Sequence, residues 1–190
     1  MNKITTTFKV LAAFAAIAVL AGCGSLTDDS SSILIVESIT GTTVEGDEVA
    51  YLQSDTSEDG GVSLDNATAK LTCQLAAPDS ISGPSQYNSV TLTSYRVTYE
   101  LPPDATEEAV PGVNVPMPFD GYFSTVLVPV DESITVPFAA VLADAKLAEP
   151  LVSLATMLET RARIEFFGED LAGKQVSATG YLTIYFANYN

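Results

Sequence analysis

The 190-residue chain contains no histidine, no tryptophan and only two cysteines, and its 24 acidic residues outnumber its 8 basic residues. The lack of histidine excludes Ser–His and Cys–His catalytic pairs and histidine-ligated metal sites. The sequence also lacks a phosphate-binding loop and a dinucleotide-binding glycine motif. The shortage of Lys and Arg argues against nucleic-acid binding, because basic side chains must neutralise the phosphates. The hydrophobic fraction of 47% is nevertheless sufficient for a buried core.

The first 22 residues differ in character from the rest of the chain. Lys3 and Lys9 form a positively charged start, and residues 10–20 are an apolar run. This run is shorter than the roughly 20 residues that a membrane-spanning helix needs, but it has the length of the apolar region of a secretory signal peptide. The run ends in Leu20-Ala21-Gly22-Cys23, and a polar segment rich in Ser and Asp follows.

This tetrapeptide resembles the lipobox of bacterial lipoproteins. The resemblance implies that the Cys23 thiol receives a diacylglyceryl group and that a peptidase cleaves between Gly22 and Cys23. It also implies an outer-membrane location, because Gly24 rather than Asp follows the cysteine; the side of that membrane stays open. The alternative is an ordinary signal peptide with a chance cysteine. The expected segments are a removed signal peptide (residues 1–22), a lipidated flexible tether (residues 23–32) and a single domain (residues 33–190).

Removal of residues 1–22, which contain two lysines, would leave 6 bases and 24 acids, a net charge of −18. Such a charge favours solubility and predicts repulsion from anionic lipid. With Cys23 bonded to lipid, Cys73 has no partner for a disulfide within the chain. Because Cys73 alternates with Leu71 and Leu75, we interpret it as a small buried core residue; a reactive thiol is the alternative.

Short runs of β-branched or alternating apolar residues, separated by Gly, Pro and acidic residues, make up most of the remaining chain. They predict an all-β fold, an antiparallel β-sandwich of about eight strands with one short helix. The pattern loosely resembles immunoglobulin or fibronectin type III domains, although it lacks their inter-sheet disulfide and core Trp. A division into two small sandwiches at residues 102–118 is the alternative. The predicted strands are residues 33–40, 48–54, 69–76, 88–101, 121–130, 133–143, 160–167 and 175–189.

Three local features refine this prediction. In the strand at residues 88–101 the apolar residues change phase, which predicts a bulge or bend near residues 93–94. Pro129 and Pro137 lie within strand-like runs, and since proline lacks a ladder donor, both strands are expected to be edges or to carry bulges. Leucines at helical spacing after an early proline predict a short helix over residues 149–159, crossing one end of the sandwich.

A tyrosine stripe is a candidate interaction face. Tyr181, Tyr185 and Tyr189 recur every four residues in the last predicted strand, opposite its apolar residues and interleaved with Thr183. Tyrosine is common in interfaces because it combines an apolar ring with a polar tip. The alternative is that another part of the fold covers this face.

An acidic glycine loop is a second candidate, for calcium. Asp55, Glu58 and Asp59 supply the oxygen ligands that Ca²⁺ prefers, but their spacing does not match the EF-hand pattern. The alternative is a solvated acidic loop.

Together these features predict a membrane-anchored, non-catalytic lipoprotein that serves as a binding, assembly or accessory module of the bacterial cell envelope. Its expected contacts are the membrane, through the N-terminal lipid, and an envelope protein, with no cofactor and no nucleic acid. A ligand- or calcium-binding envelope lipoprotein is the alternative, and a hydrolase ranks third.

Overall fold

The computed structural model describes residues 30–57, 62–77 and 85–189. Within them the chain forms nine strands and two short helical segments, which confirms the predicted all-β class. No helix in these ranges is long and apolar enough to cross a membrane. The elements are β1 (Ser32–Thr42), β2 (Glu48–Val49), β3 (Tyr51–Asp55), β4 (Asp65–Leu75), a 3-10 helix (Gln86–Asn88), β5 (Val90–Glu100), β6 (Phe119–Val128), β7 (Ser133–Val141), α1 (Ala143–Lys146), β8 (Leu158–Asp170) and β9 (Gln175–Ala187).

The strands form two sheets, of order β2-β1-β4-β7 and β3-β9-β8-β5-β6. Buried apolar residues from both sheets form one cluster. Each sheet contains strands from before and after residues 102–118, so a division into two sandwiches at that loop does not describe this fold. The strands pair antiparallel except β3 and β9, which pair in parallel.

This parallel pair departs from the predicted antiparallel arrangement. The predicted strand at residues 48–54 is split: β2 pairs with β1, and β3 pairs with β9 of the other sheet. The chain therefore crosses between the sheets near Ala50. Gly41 makes room for this crossing, because a Cβ there would lie 2.5 Å from the carbonyl oxygen of Tyr51.

Two predicted irregularities are confirmed. The register of β5 with both of its neighbours shifts between Leu92 and Ser94, so the bulge lies where the apolar phase changes. Pro137 lies in β7 and Pro129 directly follows β6, and these two strands are edges of their respective sheets. An edge position tolerates proline because no ladder donor is lost on the open side.

The predicted helix over residues 149–159 is wrong in its position. These residues form turns that lead into β8, and the α-helix lies upstream as the four-residue α1. Leu151 is buried, but Leu158 is already the first residue of β8 and pairs with Phe186. A helix of eleven residues is marginal without a packed face, and strand pairing removes its last leucine from any helical stripe.

The sandwich has two opposite ends, which we call the tether end and the distal end. At the tether end lie residues 30–32, the 3-10 helix and the β8–β9 turn, residues 171–174. At the distal end lie the turn after β1, the long loop of residues 101–118, α1 and the turns that follow it. β1 runs from the tether end to the distal end, and its antiparallel partner β4 runs back.

Candidate functional site

The candidate site is the outer face of the five-stranded sheet, the surface that points away from the core. Successive side chains of a strand point to opposite sides, so the apolar residues of β8 and β9 turn inward while polar residues and tyrosines turn outward. The outer face comprises Tyr51 and Gln53 of β3, Tyr181, Thr183 and Tyr185 of β9, Glu159, Arg161, Arg163 and Glu165 of β8, Arg96, Thr98 and Glu100 of β5, and Asp120 and Tyr122 of β6.

Tyr181 and Arg161 form a stacked pair on adjacent strands. The guanidinium carbon of Arg161 lies 3.7 Å from the centroid of the Tyr181 ring, and Tyr181 is 46% exposed. Such a cation–π contact contributes about 0.5–1 kcal/mol at exposed sites. Among the described residues, no carboxylate forms an ion pair with Arg161. The stacking holds the guanidinium in place while its N–H donors remain available to another molecule.

Tyr185 and Tyr189 lie together at the distal edge of the outer face. The Tyr185 ring meets the Tyr51 ring edge-on, with centroids 5.6 Å apart. The Tyr189 hydroxyl donates to the Tyr185 carbonyl oxygen at 3.2 Å, and both side chains are half-buried. Burial, with the nearby Tyr51, Asp55 and Tyr185, raises the pKa of Tyr189, so its hydroxyl stays neutral.

Tyr51 forms a cluster with Tyr185 and Tyr189, although its place there was not predicted from the sequence. Its place depends on the parallel pairing of β3 with β9, in which Tyr51 opposes Thr183. Residue spacing within one strand predicts which side chains share a face. It gives no signal for a partner strand more than a hundred residues away.

The other half of the outer face carries ordered ion pairs. Arg96 binds Asp120 through two N–O contacts, of 2.7 Å and 3.1 Å, and this contact lowers the pKa of the Asp120 carboxyl. Arg163 contacts Glu165 at 3.1 Å and Glu100 at 3.8 Å. A shallow hollow of about 320 Å³ lies between the two arginines. The exposed ring of Tyr122 borders this half on the edge strand β6.

All three arginines of the chain lie on the outer face. The face is therefore close to charge balance, although the chain as a whole has a net charge of −16. This concentration was not predicted from the sequence, because Arg96 meets Arg161 and Arg163 only through the β5–β8 pairing. Alternation within each strand was the available signal, but it does not specify which strands are neighbours.

The calcium candidate is only partly described. The Asp55 carboxylate accepts hydrogen bonds from the Ser57 N–H at 3.0 Å, the Ser57 hydroxyl at 2.9 Å and the Tyr189 N–H at 3.3 Å. Glu58 and Asp59 lie outside the described residues. No group of three or more potential metal ligands occurs within the described ranges. The calcium site stays a prediction.

Of the two cysteines, the structure describes Cys73. Cys23 and Gly22, the predicted lipidation and cleavage residues, lie outside the described residues. Cys73 is buried, as predicted, and its thiol donates to the Asn88 carbonyl oxygen at 3.1 Å. Burial raises the pKa of Cys73, so the sulfur is a neutral thiol rather than a reactive thiolate.

No protein-family model matches this chain, and neither a curated protein nor a solved structure matches it. A functional proposal therefore depends on the chemistry of the chain itself. In the described part of the chain, the outer face combines exposed tyrosines with arginines whose positions are fixed by stacking or ion pairs.

Proposed function

We propose that this protein is a non-catalytic lipoprotein of the bacterial cell envelope, held at the outer membrane by lipid on Cys23, that binds a protein partner through its outer face. The observation that carries the proposal is the concentration of tyrosines and all three arginines on one sheet face. Tyr and Arg are enriched in protein interfaces and dominate their binding energy.

The outer face is also preorganised for binding. Tyr181 holds Arg161, Asp120 holds Arg96, and Glu165 holds Arg163. Side chains that are ordered before binding lose less conformational entropy on association. Four strands of ten or more residues and a five-residue edge strand span roughly 20 Å by 40 Å, which is near the ~800 Å² per partner of a standard interface.

Charge favours binding at this face over the rest of the surface. The other described surfaces carry most of the acidic residues and few of the bases, so an acidic partner meets repulsion there. The outer face offers balanced ion pairs and the unpaired guanidinium of Arg161. A partner with an acidic side chain opposite Arg161 would gain a charge-assisted hydrogen bond.

The strand order supports an immunoglobulin-like assignment of the sandwich, which is part of the proposal. In that fold, strands A, B and E share one sheet, and strands G, F and C share the other, to which variable-type domains add C′. β1, β4 and β7 take the places of A, B and E, and β9, β8, β5 and β6 take those of G, F, C and C′.

A ligand-binding role is the second candidate, favoured by a buried ion pair at the distal end. The Lys146 side chain is 1% exposed and its Nζ lies 2.8 Å from Asp65. Lys146 lines two hollows, of about 300 Å³ and 240 Å³. Leu151, Val152 and Leu154 line part of the first, and hydroxyl, amide and carboxylate side chains line most of the second. A melting curve with calcium against chelator tests the metal version, since a bound ion raises the melting temperature.

In-cell photo-crosslinking tests the main proposal. A photoreactive residue at position 181 reports on the outer face, and one at Thr135, exposed on β7 of the other sheet, is the matched control. A discrete protein adduct from position 181, absent from position 135, is expected at native abundance. Equal adducts from both positions, or none from position 181, would overturn the proposed binding face.

The anchor is tested separately. A Cys23→Ala variant is expected to leave the membrane fraction and to lose its lipid label. A variant that still fractionates with membranes and carries no less lipid would contradict the lipoprotein assignment. Because this readout is independent of crosslinking, the anchor and the binding face can fail independently.

A further inference from the structure

We infer that the tether end of the sandwich is a membrane-resting surface, on which Tyr87, Leu171 and Ile33 contact the lipid while the distal end points away from it. This inference rests on the lipid anchor of the proposed function. It adds an orientation of the domain and a second, non-covalent contact with the bilayer. The surface formed by these three side chains is called the membrane seat.

The end of the tether is fastened to the domain. The Ser30 hydroxyl donates to the Asp170 carboxylate at 2.6 Å, and the Ser32 hydroxyl donates to the Asn88 carbonyl oxygen at 2.7 Å. The side-chain amide of Asn88 donates to the Ser31 hydroxyl at 2.7 Å. Residues 30–32 therefore leave the domain at a fixed point, between the 3-10 helix and the β8–β9 turn.

The length of chain beyond this point limits the distance to the membrane. Ser30 is the seventh residue after Cys23. Seven extended residues reach roughly 25 Å, which is less than the length of the sandwich strands of up to 13 residues. A lipid on Cys23 thus keeps the tether end near the bilayer, and the segment is too short for the domain to stand inverted with its distal end on the membrane.

The tether end carries exposed apolar side chains around this point. Tyr87 is 62% exposed, Leu171 46% and Ile33 47%. The Leu171 N–H donates to the Ser89 carbonyl oxygen at 3.1 Å, so the β8–β9 turn lies against the segment that follows the 3-10 helix. Ile33 follows the fastened residues directly and lines a hollow with Ser30. Tyrosine and leucine suit the boundary between headgroups and acyl chains, since both have large apolar parts.

The charge distribution supports the same orientation. Ten Asp and Glu residues, together with Lys146, lie in distal-end segments, namely residues 43–48, 55–57, 62–65, 101–118 and 142–150. The tether-end segments, residues 30–33, 75–77, 85–89, 129–132 and 168–175, carry four, together with Lys174. One of the four, Asp170, is buried and bonded within the domain. A distal end that faced anionic lipid would therefore be repelled more strongly than the tether end.

The absence of tryptophan makes a direct test simple. The full lipidated protein is placed in phosphatidylcholine vesicles with brominated acyl chains, which quench tryptophan on contact. The Leu171→Trp variant reports on the membrane seat, and Val113→Trp, at a 67% exposed position of the distal loop, is the control. The emission of the residue at 171 is expected to fall about twofold, because seated apolar side chains enter about 5–10 Å into the headgroup boundary. The control emission is expected to stay unchanged.

A second substitution tests whether the membrane seat causes the quenching. Addition of Tyr87→Glu to the Leu171→Trp variant is expected to relieve the quenching, since a carboxylate opposes insertion. Equal quenching of the two probes, or none of the probe at position 171, would overturn the membrane seat. Vesicle flotation and intact mass separate the two proposals: a floating, lipidated protein without quenching contradicts the seat alone, whereas a protein without lipid contradicts the anchor and the seat together.

Discussion

Tyrosine has different roles on the inner and outer faces of the five-stranded sheet. Tyr99 on the inner face is fully buried, and its hydroxyl donates to the Ala140 carbonyl oxygen at 2.8 Å across the sandwich. Tyr181 on the outer face is 46% exposed, and its ring is covered by an arginine rather than by core residues. Burial raises the pKa of Tyr99 far above its usual value, so this hydroxyl remains a donor.

The difference between the faces separates stability from recognition. On the inner face, the rings of Phe123, Phe138 and Phe166 surround Tyr95 with centroids 5.1–6.4 Å apart. These contacts are buried and therefore contribute directly to folding. The outer contacts are half-exposed, and exposed pairs contribute little to stability. Substitutions on the two faces of one strand should therefore have separable effects on unfolding and on binding.

The largest effect is expected for Phe166→Ala on the inner face of β8. Phe166 is fully buried and packs against Tyr95, Phe123 and Phe138. Removal of the ring leaves a cavity and eliminates its packing contacts. Truncation of a buried phenylalanine to alanine typically lowers the free energy of unfolding by about 3–5 kcal/mol. Urea denaturation of the domain measures this value. A loss below about 1 kcal/mol would contradict the assignment of these rings to the central core.

A smaller loss is expected for Gly121→Ala on the edge strand β6. Gly121 pairs with Tyr95, and an added Cβ would overlap the Tyr95 ring, which covers the glycine. The ring would have to move within the aromatic cluster, and such overpacking lowers the free energy of unfolding by about 1–3 kcal/mol. Gly173→Ala is not a suitable control, because its positive φ adds backbone strain. Ser124→Ala, at an exposed site of β6, is the matched variant and is expected to be near neutral.

Local patterns in the sequence predicted local features of this fold. The change of phase within β5 predicted the bulge between Leu92 and Ser94. Pro129 and Pro137 predicted strands that are edges or carry bulges, and β6 and β7 are edges. Each depends on neighbouring residues alone. The leucine spacing of residues 149–159 failed, because the sheet recruits Leu158 into β8 and long-range strand pairing prevails over a short helical pattern.

The composition of the outer face could not be predicted without knowing which strands are neighbours. Tyr181, Tyr185 and Tyr189 were predicted from their spacing to share one face of the last strand; the first two do, whereas Tyr189 follows the end of β9 at Ala187. Tyr51 and the three arginines joined them only through the β3–β9 and β5–β8 pairings. These pairings link segments far apart in the chain, and the crossing near Ala50 that sends β3 to the other sheet has no pattern of its own.

The change in stability at acidic pH tests the role of Asp170, a buried carboxylate on the inner side of β8. Burial alone would raise the pKa of Asp170, but hydrogen bonds from the Ser30 hydroxyl and from the N–H groups of Lys174 and Ala172 lower it overall. A carboxylate with a lowered folded-state pKa stabilises the fold above its unfolded pKa, near 3.9, and this contribution is lost as the pH falls through the folded value.

Asp170→Asn is therefore expected to lower the free energy of unfolding at pH 7 by about 1 kcal/mol. The difference from the natural chain should shrink as the pH falls below about 4, because the unfolded chain binds a proton there before the folded carboxyl does, and it should vanish once the folded carboxyl is protonated too. Denaturation between pH 7 and pH 3 measures the loss in the free energy of unfolding and how this loss changes with pH. Glu132→Gln, at an exposed tether-end position, is the control and should change neither. A difference that grows on acidification would reverse the assigned direction of the Asp170 pKa.

The smallest effect on stability, and the largest expected on binding, belongs to Arg161→Ala. Its stacking on Tyr181 is half-exposed, so the free energy of unfolding should fall by no more than about 0.5–1 kcal/mol. Loss of an arginine at an interface centre typically weakens binding by about 2 kcal/mol, roughly thirtyfold. The yield of partner crosslinked to a photoreactive residue at position 122, on the same face, measures the binding. Lys70→Ala, which removes an exposed cation paired with Glu37 on the other sheet, is the control and should leave the yield unchanged. An Arg161→Ala protein that is as unstable as Gly121→Ala, or that captures its partner at full yield, would remove the distinction between the two faces.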